Sequence, residues 1–230
     1  MIVGAAHRSH EDLADFAIQI LKRADILEQS GTEADWSAYV EAQRKIEAFV
    51  VPWTTVTSLM RRFFYALSAA VLPERIVGAG TYAGFGFAWF VMGQAKGTKV
   101  TRLAEAVGLD VNAQATTLAR QNTAALGLGE RLRFEQADAA AWLRASRTPI
   151  SLLYIDIESA DTGKSGYAEV FQAARPRLVS GALIVAHDAC VPMFSEDFAH
   201  FHLAITSDPC LRGPVILPLD ECGVSVSRVV

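Results

Sequence analysis

The sequence has little of several features that would direct its interpretation elsewhere. It has only three cysteines, and none of them forms a C-x-x-C pair, so a disulfide framework is not indicated. Its 21 Lys and Arg are outnumbered by 25 Asp and Glu, whereas nucleic-acid-binding proteins usually carry a basic face. No apolar run approaches the roughly 20 residues of a membrane span, and charged residues interrupt the first segment where a signal core would lie. We therefore predict a cytoplasmic protein that acts on a small molecule, with no nucleic-acid or membrane partner.

The first 72 residues have the apolar spacing of helices. An S-x-x-D pattern at Ser9 is typical of a helix start, and Gly31 is predicted to end that helix. A third helix is predicted to begin at Thr54 or Thr55, because a threonine can accept hydrogen bonds from the first amides of a helix. We expect residues 1–72 to form a helical extension that serves as a lid or as the interface of a homodimer.

After residue 72, short apolar segments alternate with helical ones. The predicted strands are Arg75–Ala79, Ala106–Leu109, Leu132–Gln136, Ile150–Ile155, Ala182–Ala186, Val215–Leu217 and Val224–Val229. Alternation of this kind indicates a mostly parallel sheet with helices on both faces. The last two strands are predicted to form an antiparallel hairpin at its edge. Residues 73–230 are therefore expected to be one α/β domain.

A glycine-rich turn follows the first of these strands. Residues 77–86 read VGAGTYAGFG and are predicted to connect that strand to a helix. Glycine permits positive φ and lets a ligand approach the backbone closely. Ligands in open α/β sheets bind at the carboxyl ends of the strands, so the turn is a candidate ligand site. The alternative is a tight strand–helix turn without a ligand.

Three aspartates end three successive predicted strands. Asp110, Asp138 and Asp156 should meet at one edge of a parallel sheet. Asp110 is placed to accept hydrogen bonds from the hydroxyls of a ribose, Asp138 to meet an adenine amino group, and Asp156 to lie beside the reacting centre. Each of them could instead be a helix cap, so the prediction depends on their shared position.

These motifs resemble the caffeoyl-CoA and catechol type O-methyltransferases. Residues 80–85, GTYAGF, are similar to the G-T-Y-T-G-Y turn of that family, and the likeness continues through residues 108–110, 137–139, 154–156 and 183–188. It extends in order over residues 52–230. The resemblance implies a class I, Rossmann-like, doubly wound fold with a seven-stranded sheet. It also implies S-adenosyl-L-methionine (SAM) as the cofactor and O-methylation of a small-molecule hydroxyl.

The resemblance also implies roles for individual residues. The positions that would bind the cofactor are Gly80, Thr81, Tyr82, Gly84, Asp110, Asp138, Ala139 and Asp156. Asp156, His187 and Asp188 occupy the positions of the family's three divalent-metal ligands. Asp156 and His187 are accordingly the predicted catalytic residues.

The sequence departs from the family's pattern near the reacting centre. A lysine three residues after the first metal carboxylate often acts as a base in the family; Ser159 stands there, and Lys164 lies further along than the pattern allows. The family's Asp-Asn pair is His187-Asp188. His187 could therefore help to hold a divalent metal ion, act as a metal-free general base, or only cap the strand end.

Two further departures lie in the glycine turn. Gly78 replaces a glutamate of the family and Gly86 replaces a serine, so polar contacts near the methionine part of SAM are missing. N- or C-methylation, or another reaction that consumes SAM, therefore stays open. A short-chain dehydrogenase is the other alternative, but no Tyr-x-x-x-Lys occurs at Tyr154 or Tyr167.

Overall fold

The computed structural model describes residues 8–96, 99–100 and 102–230. Its strands are β1 (Arg75–Ala79), β2 (Ala95–Lys96), β3 (Lys99–Val100), β4 (Glu105–Asp110), β5 (Leu132–Gln136), β6 (Ile150–Ile155), β7 (Leu178–His187), β8 (Leu211–Leu217) and β9 (Val224–Val229). Its α-helices are α1 (His10–Arg23), α2 (Trp36–Ile46), α3 (Ser58–Val71), α4 (Phe85–Met92), α5 (Ala113–Ala124), α6 (Ala139–Ala145), α7 (Gly166–Ala174) and α8 (Ser195–Thr206).

Seven of these strands form one sheet, in the order β5-β4-β1-β6-β7-β9-β8. The first five are parallel, and β9 and β8 add an antiparallel edge. The chain winds outward from β1 through β4 to β5 and then returns to β6 on the other side of β1. The winding therefore reverses beside β1, where ligands of such sheets bind. The predicted Rossmann-like fold with a carboxyl-terminal hairpin is confirmed.

Side chains of the central strands alternate between two hydrophobic cores. Along β6, Leu152 and Tyr154 face the core formed with α1–α4, while Leu153 and Ile155 face the core formed with α6–α8. Successive residues of a strand point to opposite faces, so a run of apolar residues can fill both sides of the sheet. The β6 sequence is apolar at nearly every position for this reason.

Helices α1–α3 share a hydrophobic core with α4 and one face of the sheet. Phe64 of α3 stacks on Phe90 of α4 with ring centroids 4.3 Å apart, and its ring edge meets Tyr154 of β6 at 5.4 Å. Tyr39 of α2 stacks on Trp89 of α4. The amino-terminal helices are thus packed against residues 73–230, and their role as a lid or dimer interface stays a prediction.

Two predicted helix boundaries were wrong. The capping box of Ser9 is present, but α1 ends at Arg23 because Asp25 turns into the left-handed region (φ 55°) and the amides of Ile26 and Leu27 bond back to Leu21. Helix α3 begins at Ser58 instead of near residue 54. The Thr54 hydroxyl accepts from the amide of Val56, and Thr57 provides the cap.

Strand β7 begins earlier than predicted. The predicted strand was Ala182–Ala186, but α7 already ends at Ala174, and a short 3-10 turn that contains Pro176 follows. Proline lacks the amide hydrogen that a helix interior needs, so the chain leaves the helix there. Strand β7 therefore runs from Leu178 to His187 and carries the predicted His187 to its carboxyl end.

Candidate active site

The carboxyl ends of the parallel strands open onto a cleft of about 760 Å³. Its walls come from the glycine turn after β1, the ends of β4, β5 and β6, and the loop that precedes α7. A segment of the amino-terminal extension, residues 51–56, forms a further wall, where the exposed Trp53 ring lies 5.5 Å from the ring of Tyr82. This volume is in the range that binds a cofactor together with a small molecule.

Close packing of the backbone fixes the glycine turn. Gly80 has φ 77°, and a Cβ there would lie 2.3 Å from the carbonyl oxygen of Asp156, so the end of β1 can pass β6 only as glycine. The amides of Gly80 and Thr81 both donate to the carbonyl of Leu109. Tyr82 also has positive φ, 44°. The turn thus places the backbone of residues 80–82 on the wall of the cleft.

Gly84 shapes the turn but does not line the cleft. It has φ 80° and precedes the first residue of α4, and a Cβ there would lie 3.2 Å from Phe134 and 3.3 Å from Ala119. No side chain caps α4, although Phe85 and Gly86 of its first turn border the cleft. Unpaired amides at a helix start attract a carboxylate or another anion.

Gly78, the position of the family's glutamate, has no room for a side chain. A Cβ there would lie 2.6 Å from both Phe87 and Thr81, within the packed turn. A Cβ added at Gly86 would lie 3.3 Å from the Val56 side chain and 3.5 Å from the Tyr154 hydroxyl. The packing around Gly78 therefore excludes any side chain, whereas a Cβ at Gly86 would be a tight fit that requires only a small shift of the Val56 side chain.

The carboxylate of Asp110 is held at the cleft by main-chain amides. One oxygen accepts from the amide of Tyr82 at 2.8 Å, and the other accepts from the amide of Asn112 at 2.9 Å. Each carboxylate oxygen can accept a further bond. The structure thus places Asp110 where the sequence predicted it, fixed in orientation and with acceptor capacity left for a ligand.

Asp138 caps a helix and also lies on the wall of the cleft. Its side chain is exposed and caps α6 by accepting from the amide of Ala141 at 2.7 Å. It also lines the cleft together with Ala139, next to the end of β4. The structure thus brings Asp110, Asp138 and Ala139 to the same end of the cleft.

At the other end of the cleft, a lysine lies between two carboxylates. The Nζ of Lys164 is 3.1 Å from Oδ1 of Asp156 and 2.7 Å from Oδ2 of Asp188. The Tyr154 hydroxyl donates to the other oxygen of Asp156 at 2.8 Å. Burial alone would raise the pKa of Asp156, but His187, Lys164 and Tyr154 outweigh it and lower that pKa to about 2. Asp156 is therefore a fixed anion at this end of the cleft.

The structure does not bring His187 to the wall of the cleft. Its side chain is 0 % exposed and lies behind the two carboxylates, with Nδ1 3.2 Å from Asp188 and 3.5 Å from Asp156. Neither ring nitrogen has hydrogen-bond geometry with a partner. Burial lowers the pKa of His187, but the carboxylates of Asp156 and Asp188 outweigh it and raise that pKa above its usual value. These features favour a charged imidazolium over a base that contacts substrate.

The predicted metal ligands do not fit a divalent ion. Lys164 already pairs with both carboxylates of the set, so a metal ion would have to displace its ammonium. Within the described ranges, the group of three ligand side chains whose donor atoms lie within 4.8 Å of one another is His187, Asp188 and Cys222, without Asp156. Burial and the nearby Asp188 raise the pKa of the Cys222 thiol to about 12, which disfavours the thiolate that a metal requires.

Lys164 is the residue of this site whose position the sequence pattern missed. It lies eight residues after Asp156 rather than the three that the family's pattern requires, yet the longer loop folds back and delivers it to the expected place. Its side chain is 2 % exposed, which is exceptional for a lysine. The sequence does contain one signal, since Lys164 is the only lysine after residue 99.

The cleft is strongly acidic. Among the described residues that line it, six carry carboxylates and only Lys164 is basic. The acidic residues are Asp110, Asp138, Asp156, Glu158, Glu169 and Asp188. A cavity with this charge favours positively charged ligands over phosphorylated ones.

Comparison with known proteins agrees with this geometry. Residues 77–189, from the glycine turn to just past Asp188, match the family model described as a methyltransferase domain. The chain contains a methyltransferase domain. The resemblance found in the sequence is thereby confirmed. No curated protein matches the sequence of this methyltransferase.

Solved structures share the fold of this methyltransferase at low sequence identity. The SAH-bound Podospora anserina methyltransferase PaMTH1 is 18 % identical over 99 % of this chain and 100 % of its own, with a TM-score of 0.66. An O-methyltransferase from Bacillus cereus in complex with SAH is 18 % identical over 94 % and 97 %, with a TM-score of 0.67. The O-methyltransferase TomG from Streptomyces achromogenes, in complex with SAM, is 14 % identical over 97 % and 99 %, with a TM-score of 0.66.

The described α-helices of this methyltransferase are short, with at most 14 residues each. Within residues 8–96, 99–100 and 102–230, none of them has the length and apolar character needed to cross a bilayer.

Proposed function

We propose that this methyltransferase transfers the methyl group of SAM to a hydroxyl of a small molecule. The observation that supports this proposal best is the single cleft with two different ends. Asp110 and Asp138 lie at strand ends on one side of β1, Asp156 and Asp188 with Lys164 lie on the other side, and the glycine turn after β1 lies between them. Solved structures of the same fold contain SAM or SAH.

The donor end is complementary to SAM. Asp110 is positioned to accept from the ribose hydroxyls, while Asp138 and the amide of Ala139 are positioned to meet the adenine. The backbone of Gly80, Thr81 and Tyr82 would contact the methionine part. The uncapped start of α4 would receive the carboxylate of SAM, which compensates for the side chains missing at Gly78 and Gly86. Gly84 would act only by shaping this turn.

The acceptor end determines the class of the second substrate. SAM supplies a methyl group on a positively charged sulfur, and the cleft, whose carboxylates outnumber the cations that pair with them, attracts that charge. The same carboxylates repel phosphate groups. A neutral or cationic small molecule therefore fits this cleft better than a nucleic acid or a coenzyme A thioester, which carry several phosphates.

Asp156 and Lys164 are the proposed activating groups at the reacting centre. The ammonium of Lys164 can donate a hydrogen bond to the acceptor oxygen and stabilise the negative charge that develops on it as the hydroxyl proton passes to solvent water in the cleft. Asp156 orients that ammonium. We propose that His187 contributes positive charge from behind the carboxylates, because it does not reach the cleft.

The amino-terminal extension and the cellular setting remain proposals of their own. Residues 51–56 already wall the cleft, which supports a lid role for residues 1–72. A homodimer through α1 and α2 is supported by the exposed apolar side chains of Phe16 and Val40, and sedimentation of the purified chain would test it. A cytoplasmic location is supported by three free cysteines.

Product analysis by mass spectrometry tests the proposed function. The chain is incubated with SAM and a panel of neutral and cationic phenols, alcohols and amines, and an Asp110→Asn variant serves as the control. We expect a hydroxyl compound to gain one methyl group while SAH accumulates, and the variant to lose most of that activity. Methyl gain only on nitrogen or carbon, or consumption of SAM without methyl gain on any acceptor, would contradict the proposal.

A further inference from the structure

The ion pair around Lys164 has the arrangement of a bound cation and its ligands. Its Nζ contacts Asp156 at 3.1 Å and Asp188 at 2.7 Å, and Glu158 lies 3.7 Å away. The ammonium is almost fully buried. Two carboxylates this close together, that of Asp188 buried and that of Asp156 partly buried, repel each other strongly unless a cation neutralises them. Lys164 supplies that cation from the protein itself.

The loop that carries Lys164 is held in place by its own contacts. Ser159 and Gly163 exchange two main-chain hydrogen bonds of 2.9 Å, which closes the loop into a small hairpin. The amide of Lys164 then donates to Oδ2 of Asp197 in α8 at 2.8 Å. Gly163 has φ 55°, and a Cβ there would lie 2.9 Å from the same carboxylate oxygen. These contacts therefore fix the backbone of Lys164 independently of its side chain.

Aromatic rings hold the side chain itself. The Nζ lies 5.5 Å from the ring centroid of Tyr167 and 5.4 Å from that of Phe194. Contacts of a cation with aromatic faces add to its ion pairs, and more so when water is excluded. The ammonium thus has two carboxylates on one side and two rings around it, and a charge without these partners could not remain buried there.

We propose that Lys164 is the resident cation of this site: it replaces a divalent metal ion and positions Asp156 and Asp188 at the acceptor end of the cleft. A metal ion would have to displace the ammonium from both carboxylates and leave a second positive charge in a buried place. The proposal concerns the site of the proposed function, but its main test, metal binding, does not depend on that function.

Binding of Mn²⁺ to the full chain tests the proposal. Purified wild type and Lys164→Ala are titrated with Mn²⁺ alone and followed by electron paramagnetic resonance, and Lys164→Arg is the matched control that keeps the charge. We expect no specific site in the wild type or the Arg variant. The Ala variant should gain one site and bind Mn²⁺ at least about tenfold more tightly than the wild type. The gain should disappear in the double variant Lys164→Ala, Asp188→Asn.

Three results would overturn the proposal. They are a specific Mn²⁺ site in the wild type that Asp188→Asn removes, an Arg variant that binds Mn²⁺ as the Ala variant does, and a folded Ala variant that gains no site. If the Ala variant does not fold, the wild-type titration still decides whether the native site takes a metal. Titration with SAH, which contacts other residues, reports on the proposed function separately. Retained SAH binding in a folded Ala variant therefore separates a change at the metal position from failure of the donor site.

Discussion

The two ends of the cleft hold their carboxylates in different ways. At the donor end, main-chain amides hold Asp110 and Asp138, and two of these amides, those of Asn112 and Ala141, lie two or three residues further along the chain. At the acceptor end, side chains hold Asp156: Tyr154 from the same strand, Lys164 from the following loop and His187 from the next strand. The donor end is thus mainly a product of local backbone geometry, whereas the acceptor end depends on tertiary packing.

The two ends of the cleft should therefore differ in how well they tolerate substitution. Amides positioned by a turn remain in place when a neighbouring side chain is replaced, because the backbone itself donates. A buried network of side chains loses several interactions at once when one member is removed. Substitutions at the donor end should therefore change the affinity for the cofactor alone. Those at the acceptor end should change both the charge balance of the site and the rate of catalysis.

The largest expected effect is that of Gly80→Ala. The added Cβ would collide with the carbonyl of Asp156 at 2.3 Å, and alanine disfavours the positive φ of this position. We expect a loss of more than about 3 kcal/mol in the free energy of unfolding, measured by denaturant titration. The matched control is Gly129→Ala, which has positive φ but no atom within 4 Å of the added Cβ. It should cost only about 1 kcal/mol, and equal losses would contradict the close passage of β1 and β6.

The next effect concerns the two carboxylates of the donor end. Asp110→Asn replaces one carboxylate oxygen by an NH2 group, which cannot accept a hydrogen bond from the main-chain amide of Tyr82 or Asn112. The side chain is therefore a weaker acceptor for the ribose hydroxyls and loses one of the two bonds that fix its orientation. We expect SAH affinity to fall by roughly 10- to 100-fold in calorimetry. Asp138→Asn can still cap α6 and should lose less affinity. A larger loss at Asp138 would reverse our assignment of the two residues.

A smaller effect is expected where the acceptor end is supported from outside. Asp197→Asn weakens the bond to the Lys164 amide without touching the cleft, since Asp197 is not among the described residues that line it. We expect turnover to fall by about threefold to tenfold, because small displacements of reacting groups are costly. SAH affinity should be unchanged. The neighbouring exposed residue provides the control, Glu196→Gln, which should leave both quantities as they are; a fall in SAH affinity for Asp197→Asn would show that the two ends are not independent.

The smallest effect should be that of chelation. If Lys164 is the cation at the acceptor end, then treatment with EDTA and later addition of Mg²⁺ should both leave turnover within about twofold of the untreated enzyme, as judged by SAH formation. Loss of activity with EDTA that Mg²⁺ restores would contradict the absence of a metal at Asp156 and Asp188.

Sequence patterns predict the parts of this molecule that arise locally. Strand ends followed by aspartates, and glycines between a strand and a helix, are sufficient to place Asp110, Asp138 and Asp156 on one cleft. The pattern could not show that His187, although adjacent to Asp188, is buried behind the carboxylates and does not reach the cleft. Nor could it predict that a longer loop returns Lys164 to the carboxylates, since that depends on Asp197 and Phe194, about thirty residues further along the chain.

Helix boundaries were missed for a similar reason. The sequence contains a helix stop signal at Gly31 and a helix start signal at Thr54. The chain already turns at Asp25, however, and the hydroxyl that caps α3 is that of Thr57. The apolar residues Ile26 and Leu27 kept a helical spacing because they are buried after the turn, not because the helix continues. In this segment, the spacing of apolar residues buried after the turn is the same as that of a continuing helix.

Calorimetric titration of the purified wild-type chain with SAH, alongside a titration with NADH, tests the central claim most directly. We predict that SAH binds with one site per chain and micromolar or tighter affinity, and that NADH produces no binding heat. Binding of NADH without any binding of SAH would contradict a donor end built for an adenosyl sulfonium, and with it the proposed methyl transfer.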